Sequence, residues 1–286
     1  MQTAPSRGIA IVTGASSGIG EATAERLGRA GYGVVVAARR REQLDAVAAR
    51  IEAAGGRALA APTDVSYDES VARLVERTWE AFGRIDLLVN NAGFSPSAAL
   101  EQLSREQMRN VFEVNVLGAL QLVGAVTPLM RERGGGRIVN ISSLAGQVPA
   151  PLAVCYSATK GALESATDCL RLELGQWGIS LSLVVPGFVD TPVFDKAKEW
   201  GADLRADPSN PYRKLMFDLE QYAYGQLEKA VAPEQVAEAV LEAATAARPR
   251  ARYFVPFSAG LQRGVMRNLP VSLRDRILSR VFKLPA

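Results

Sequence analysis

Tyr156 and Lys160 stand four residues apart in VCYSATKGALESA, so on a helix they share one face. Such a pair can carry a proton. A free tyrosine has a pKa near about 10, too high to exchange protons readily at neutrality, and a nearby ammonium lowers it by favouring the phenolate. Hydride delivery to a carbonyl leaves an alkoxide that must be protonated at once. Tyr156 would then be the general acid in reduction and the base in oxidation. Ser143, 13 residues earlier and just past an apolar run, would hydrogen-bond the substrate oxygen and stabilise its developing charge. Taken singly these features are ordinary. A Tyr-x-x-x-Lys pair is usually a surface helix, Ser142-Ser143 a turn, and Asn115 a mid-helix polar residue. Their order behind a nucleotide-binding loop gives them weight.

That loop is Thr13-Gly14-Ala15-Ser16-Ser17-Gly18-Ile19-Gly20. Gly14 permits a tight turn, Gly18 lets the backbone approach a pyrophosphate, and Gly20 allows close helix–strand packing. Ser16, Ser17 and Ile19 line the same turn. A helix starting there offers free N–H groups and its positive dipole end to phosphates. Proteins that bind NAD usually place a carboxylate at the end of the second strand, whereas those that bind NADP use Arg. Here the run is Ala37-Ala38-Arg39-Arg40-Arg41. A guanidinium fork matches a 2′-phosphate, so the expectation is NADP(H), with Arg39 the main contact and Arg40 its helper. A solvated basic turn is the plain alternative.

Short β-branched runs alternating with longer helical stretches must position these residues. Strands are expected at GIAIVTG, 33–38, 57–62, 85–90, 137–142, 179–186 and 252–256. The run 33–38 is continuously apolar, as in strands buried on both faces. Helices are expected from 18 to 30, 41 to 54, 67 to 82, 104 to 133, 154 to 177 and 232 to 247. Ser66 is a candidate N-cap and Gly83 a candidate stop, while Ser104 and Gln107 form a capping box. This alternation predicts an α/β fold, a doubly wound parallel sheet of Rossmann type. A single catalytic domain over residues 1–286 would include a mostly helical lid at 193–230, broken at DPSNP, and a basic tail at 257–286.

The net charge of +3 gives no reason to expect a nucleic-acid partner. The chain contains no histidine, which removes His-based catalysis, and its two cysteines, Cys155 and Cys169, make a metal site unlikely. On one helix their separation rules out a disulfide, which fits a reducing compartment. With no secretory leader pattern and no apolar run long enough to span a bilayer, a cytoplasmic location is the expectation. Charge is uneven: from Arg248 onward there are nine Lys/Arg and one acidic residue, against 24 basic and 29 acidic in the remainder.

Taken together, these motifs make the chain resemble the short-chain dehydrogenase/reductase family, over residues 8–192. The matching positions are Thr13 to Gly20, Asp64-Val65, Asn90-Asn91-Ala92-Gly93, Asn115, Ser143, Tyr156 to Lys160, Pro186-Gly187 and Thr191. The resemblance implies seven strands in the order 3-2-1-4-5-6-7 with helices on both faces. It implies that Lys160 also holds the nicotinamide ribose and that Asn115 anchors a water in a proton relay. Asp64 and Val65 would contact the adenine. Asn91, Ala92 and Gly93 would lie beside a ribose, and Pro186, Gly187, Val189 and Thr191 would position the nicotinamide amide. A homodimer or homotetramer built on the helices at 104–133 and 154–177 is also implied.

Substrate identity is the least legible part. Candidate pocket residues are Phe94, Leu144, Val148, Leu152, Cys155, Phe188, Phe194, Trp200, Met216, Phe217 and Tyr222. Their apolar character favours a hydrophobic carbonyl or alcohol such as a steroid, retinoid or aryl ketone, unless they only pack the lid on the body. In the tail, Leu273, Ile277, Leu278, Val281 and Phe282 recur at helical spacing among Arg274, Arg276, Arg280 and Lys283. Docking of this basic amphipathic helix on its own domain or a neighbouring subunit is favoured over contact with a membrane surface. A 3-ketoacyl-thioester reductase and a non-catalytic dinucleotide-binding regulator remain as alternatives.

Overall fold

A computed structural model describes residues 5–284, so the first four residues and the last two of the expected tail lie outside the described residues. Seven parallel strands form one sheet in the order β3-β2-β1-β4-β5-β6-β7. They are β1 Ile9–Thr13, β2 Gly33–Ala38, β3 Arg57–Pro62, β4 Leu87–Asn90, β5 Gly136–Ile141, β6 Ile179–Pro186 and β7 Arg252–Val255. Alternate residues feed two apolar layers, as the period of a strand requires. Ala10, Val12, Val34 and Val36 enter one layer. Ile9, Ile11, Val35 and Leu88 enter the other. Burial on both faces explains why these strands read as continuous apolar runs.

The helices are α1 Gly18–Arg29, α2 Arg41–Ala53, α3 Asp68–Phe82, α4 Arg105–Phe112, α5 Gly118–Glu132 and α6 Val154–Leu174. The segment 193–230, expected to form a lid and termed the lid, contributes α7 Val193–Trp200, α8 Ala202–Ala206 and α9 Arg213–Leu227; α10 Pro233–Thr245, α11 Phe257–Asn268 and α12 Val271–Val281 follow. The capping box is present, with Gln107 N donating to Ser104 Oγ at 3.1 Å and Ser104 N donating to Gln107 Oε1 at 2.8 Å. Gly83 stops α3 in the left-handed region at φ 64°.

Three expectations are corrected. Ser66 does not cap α3, because its hydroxyl and N–H both donate to Asp64 Oδ1, at 2.6 and 3.0 Å, and Tyr67 takes the cap position. The helix at 104–133 is interrupted by a π-turn over Glu113–Leu117. Arg105–Glu132 is also long and apolar enough to cross a membrane, with hydropathy 1.4, contrary to the sequence expectation. In the fold its residues Leu122, Val123, Val126 and Met130 are buried in the apolar layer behind the sheet.

Candidate active site

The functional residues gather at the carboxyl ends of β1, β4, β5 and β6, where an open parallel sheet leaves a crevice. At the end of β1, Gly14 and Gly18 adopt φ values of 65° and 59°, where side chains are strained. A Cβ on Gly20 would lie 2.3 Å from the Gly14 carbonyl oxygen, so no side chain fits. Ser17 begins α1 without any side-chain hydrogen bond to the first turn. The N–H groups of that turn are therefore free of a side-chain cap and suited to an anion. Thr13 Oγ1 accepts from the N–H groups of Asn91 and Ala92, both at 3.0 Å, and so ties the 91–93 loop to this turn.

Both arginines are exposed at the end of β2. Arg40 reaches the loop, donating to Ser16 Oγ at 3.0 Å and Ser17 Oγ at 3.2 Å. Arg39 is exposed beside it. From the lid, Lys196 Nζ approaches Ser17 Oγ at 3.5 Å. Burial, then Arg40 and Arg39, push the Lys196 pKa down. Among the described residues none of these three cations has a carboxylate within ion-pair distance. Their convergence is chemically suited to a phosphate. Nothing in the sequence pattern marks Lys196, which lies far along the chain.

Ser143 lies close enough to Tyr156 to influence its ionisation, and its Oγ accepts from Ala145 N at 3.2 Å. Tyr156 is half-buried. Burial pushes its pKa up, and the neighbouring Ser143 side chain offsets part of that rise. Lys160 is 4% exposed, donates from Nζ to the Ile141 carbonyl at 2.8 Å, and sits 5.7 Å from the Tyr156 ring centre. Burial pulls its pKa down to about 8, opposed by Glu164. Burial thus moves the Tyr156 pKa in the direction opposite to the lowering expected from its lysine neighbour.

Asn115 sits in the π-turn, a feature frequent at functional sites. Its Nδ2 donates to the Phe94 carbonyl at 2.9 Å and Thr159 Oγ1 at 3.1 Å, while Oδ1 accepts from Phe94 N at 3.0 Å. Its side chain is thus engaged by protein groups and locks the 93–94 loop beside the site. A Cβ on Gly93 would lie 3.7 Å from Lys160 Nζ, so this loop abuts the lysine. Asp64 and Val65 follow β3; the Val65 carbonyl oxygen would lie 2.3 Å from a Cβ on Gly118, which fixes a glycine there. Beyond β6, Gly187 N donates to the Val255 carbonyl at 2.8 Å, and Val189 bridges to Val231. Thr191 faces the glycine loop, its methyl 3.1 Å from where a Gly18 Cβ would stand.

Glu164 was not singled out from the sequence. It is 4% exposed, accepts from Ser142 Oγ at 2.8 Å and from Gln147 Nε2, and lies 3.7 Å from Arg252 Nε. Gln147 in turn accepts from Arg263 Nε of α11. The spacing Tyr156, Lys160, Glu164 repeats every four residues and could have revealed it. Of the candidate pocket residues, Leu152 and Met216 pack the lid on the body, Cys155 joins Phe94 and Trp200 in a second cluster, and Phe217 is 43% exposed. Burial pushes the Cys155 thiol pKa up, away from nucleophilic character. Phe188 stacks on Phe194 at 5.6 Å, with Tyr222 packed edge-on against Phe188.

The family model described as short chain dehydrogenase matches residues 8–202. An uncharacterised oxidoreductase of Staphylococcus saprophyticus is 38% identical over 216 residues, which is 74% of this chain and 91% of that protein. The crystal structure of an actinorhodin polyketide ketoreductase with NADPH is 34% identical, with TM-score 0.77 over 91% of this chain and 99% of its own. A short chain dehydrogenase/reductase from Burkholderia phymatum, solved in complex with NAD, is 30% identical, with TM-score 0.78 over 92% and 94% of the two chains.

Proposed function

The chain belongs to the short-chain dehydrogenase family, an oxidoreductase family, and from that premise we propose that it transfers a hydride between NADP(H) and an apolar carbonyl or secondary alcohol. The dinucleotide supplies the hydride in reduction and accepts it in oxidation. This chain's part is to bind it and to manage the proton. The uncapped first turn of α1, with Gly14, Ser16, Ser17, Gly18, Ile19 and Gly20, fits the phosphates. Arg40, Arg39 and Lys196 fit an additional 2′-phosphate, which favours NADP over NAD. Asp64 and Val65 fit the adenine end, Asn91, Ala92 and Gly93 the ribose, and Pro186, Gly187, Val189 and Thr191 the nicotinamide end.

In reduction, Tyr156 gives its hydroxyl proton to the forming alkoxide, and Ser143 donates a hydrogen bond to the same oxygen. Lys160, charged below about pH 8, stabilises the resulting phenolate. Asn115 keeps the loop beside Lys160 in place. The observation that carries this reading is buried Lys160, one turn beyond Tyr156 on α6 with its Nζ 5.7 Å from the centre of that ring, and Ser143 beside the tyrosine. Its presence speaks against a silent regulator. Similarity to the polyketide ketoreductase favours, as a second reading, a ketoacyl or polyketide carbonyl as substrate.

Exposed Leu117 and Leu172, with an apolar groove lined by Leu120, Val123, Leu170 and Leu174, support a homo-oligomer built on α5 and α6. Two unpaired cysteines fit a reducing compartment such as the cytoplasm. A parallel fluorescence titration with NADPH and NADH tests the cofactor reading. Binding of NADPH about tenfold tighter, or roughly 1.4 kcal/mol, is expected. Preference for NADH would show that the cation cluster is a solvated turn.

A further inference from the structure

Helix α11 turns an apolar stripe to solvent. Phe257, Leu261 and Val265, at i, i+4 and i+8, are 75%, 61% and 59% exposed. Its opposite face is the one held by the body: Ala259 is buried, and Arg263 lies over the Phe254 ring at 5.5 Å. The sequence expectation that the tail docks on its own domain holds for this face and for Phe282. That ring is buried and packs edge-on against Tyr222 of the lid at 5.3 Å. The rest of the tail is less covered by the body. On α12, Leu273 is 42% exposed, and Arg276, Arg280 and Lys283 are all exposed beside it.

We infer that α11 and α12 form a docking surface for an anionic lipid bilayer. An apolar stripe combined with exposed Arg and Lys is the composition of a helix lying in a membrane interface. Charge selects among the possible occupants. From α11 to Lys283, apart from Arg263 on the body-facing side, Arg267, Arg274, Arg276, Arg280 and Lys283 stand against one acidic residue, Asp275, and make this surface positive. A two-fold contact with a second copy would set that charge against itself. A head-to-tail contact with the mildly acidic body of another copy would have to close into a ring or continue into a filament. A layer of anionic headgroups complements the charge, while its acyl boundary accepts Phe257, Leu261 and Val265. The inference is independent of the reaction catalysed.

The test is co-sedimentation of the full chain with phosphatidylglycerol-rich vesicles and with pure phosphatidylcholine vesicles. Binding to the former is expected, at least about tenfold weaker to the latter, and falling as salt is added. Phe257→Glu and Leu261→Glu should each weaken vesicle binding about tenfold, since each removes buried apolar area and adds a repelled charge. Arg276→Glu with Arg280→Glu, on an exposed face where folding is not at stake, should do the same. A wild-type chain that stays in the supernatant with phosphatidylglycerol overturns the inference. So do variants that bind like wild type, or sedimentation velocity showing that Leu261→Glu dissociates a homo-oligomer.

Discussion

Around Tyr156 the polar side chains hold one another through buried hydrogen bonds, whereas the lid above them rests on stacked rings and half-exposed ion pairs. Ser142, Gln147, Glu164, Thr159 and Asn115 lock the floor of the site to β5, α6 and the π-turn. Phe194, Phe188, Tyr222 and Phe282 link the lid to the tail ring by ring. Ion pairs such as Lys214–Asp218 at 2.5 Å leave the lysine 83% exposed and contribute little. On the proposed function, the floor would have to fix atoms to fractions of an ångström for chemistry, while the segment above it would only enclose a substrate and release a product. A buried hydrogen-bond network penalises every displacement, and stacked rings can slide.

If the floor is where the chemistry resides, the largest effect is there. Tyr156→Phe should lower turnover by about 10²–10⁴-fold, the usual worth of a general acid, with NADPH affinity by fluorescence little changed. Retained activity would remove the distinction between floor and lid as drawn here.

A smaller effect sharpens the comparison through pH. Lys160 carries its charge below about pH 8, so the reductive kcat/KM should be flat below that value and fall as pH rises through it. Glu164 raises the Lys160 pKa, so Glu164→Gln should move the fall to lower pH. A pH profile superimposable on wild type would reduce Glu164 to a packing residue.

The least effect on chemistry is expected from Phe282→Ala. Loss of one ring should cost about 1–3 kcal/mol of local stability, read as faster amide exchange in α9 and α12. It should raise KM more than it lowers kcat. An equal fall in kcat would mean that the lid also positions the reacting atoms.

The same division explains what the sequence revealed. Strands buried on both faces announced themselves as apolar runs, and Tyr156, Lys160 and the glycine loop lie within single elements whose spacing carries the information. The reach of Arg40 to Ser16, Lys196 at Ser17, and the link from Glu164 through Gln147 to Arg263 depend on side-chain direction and on approaches between distant segments, which spacing does not encode. Ser66 was misread because capping and a local turn with Asp64 draw on the same hydroxyl. The π-turn at Asn115 shifts hydrogen bonds by one residue without altering the apolar period around it.

Because every pairing in the sheet is parallel, no strand finds its neighbour through a hairpin. The interior strand β1 pairs with β2 at Ile9 and Gly33 but meets its other neighbour, β4, only at Leu87. During synthesis, one edge of that apolar strand must therefore wait, unprotected, until β4 has been made. The crevice needs Thr13, Asn91, Ser143, Tyr156 and Thr191 together, so it is among the last features to exist on the emerging chain. Substitutions that loosen the sheet should consequently appear first as lost yield of folded protein and as aggregation, with the molecules that do fold retaining normal turnover.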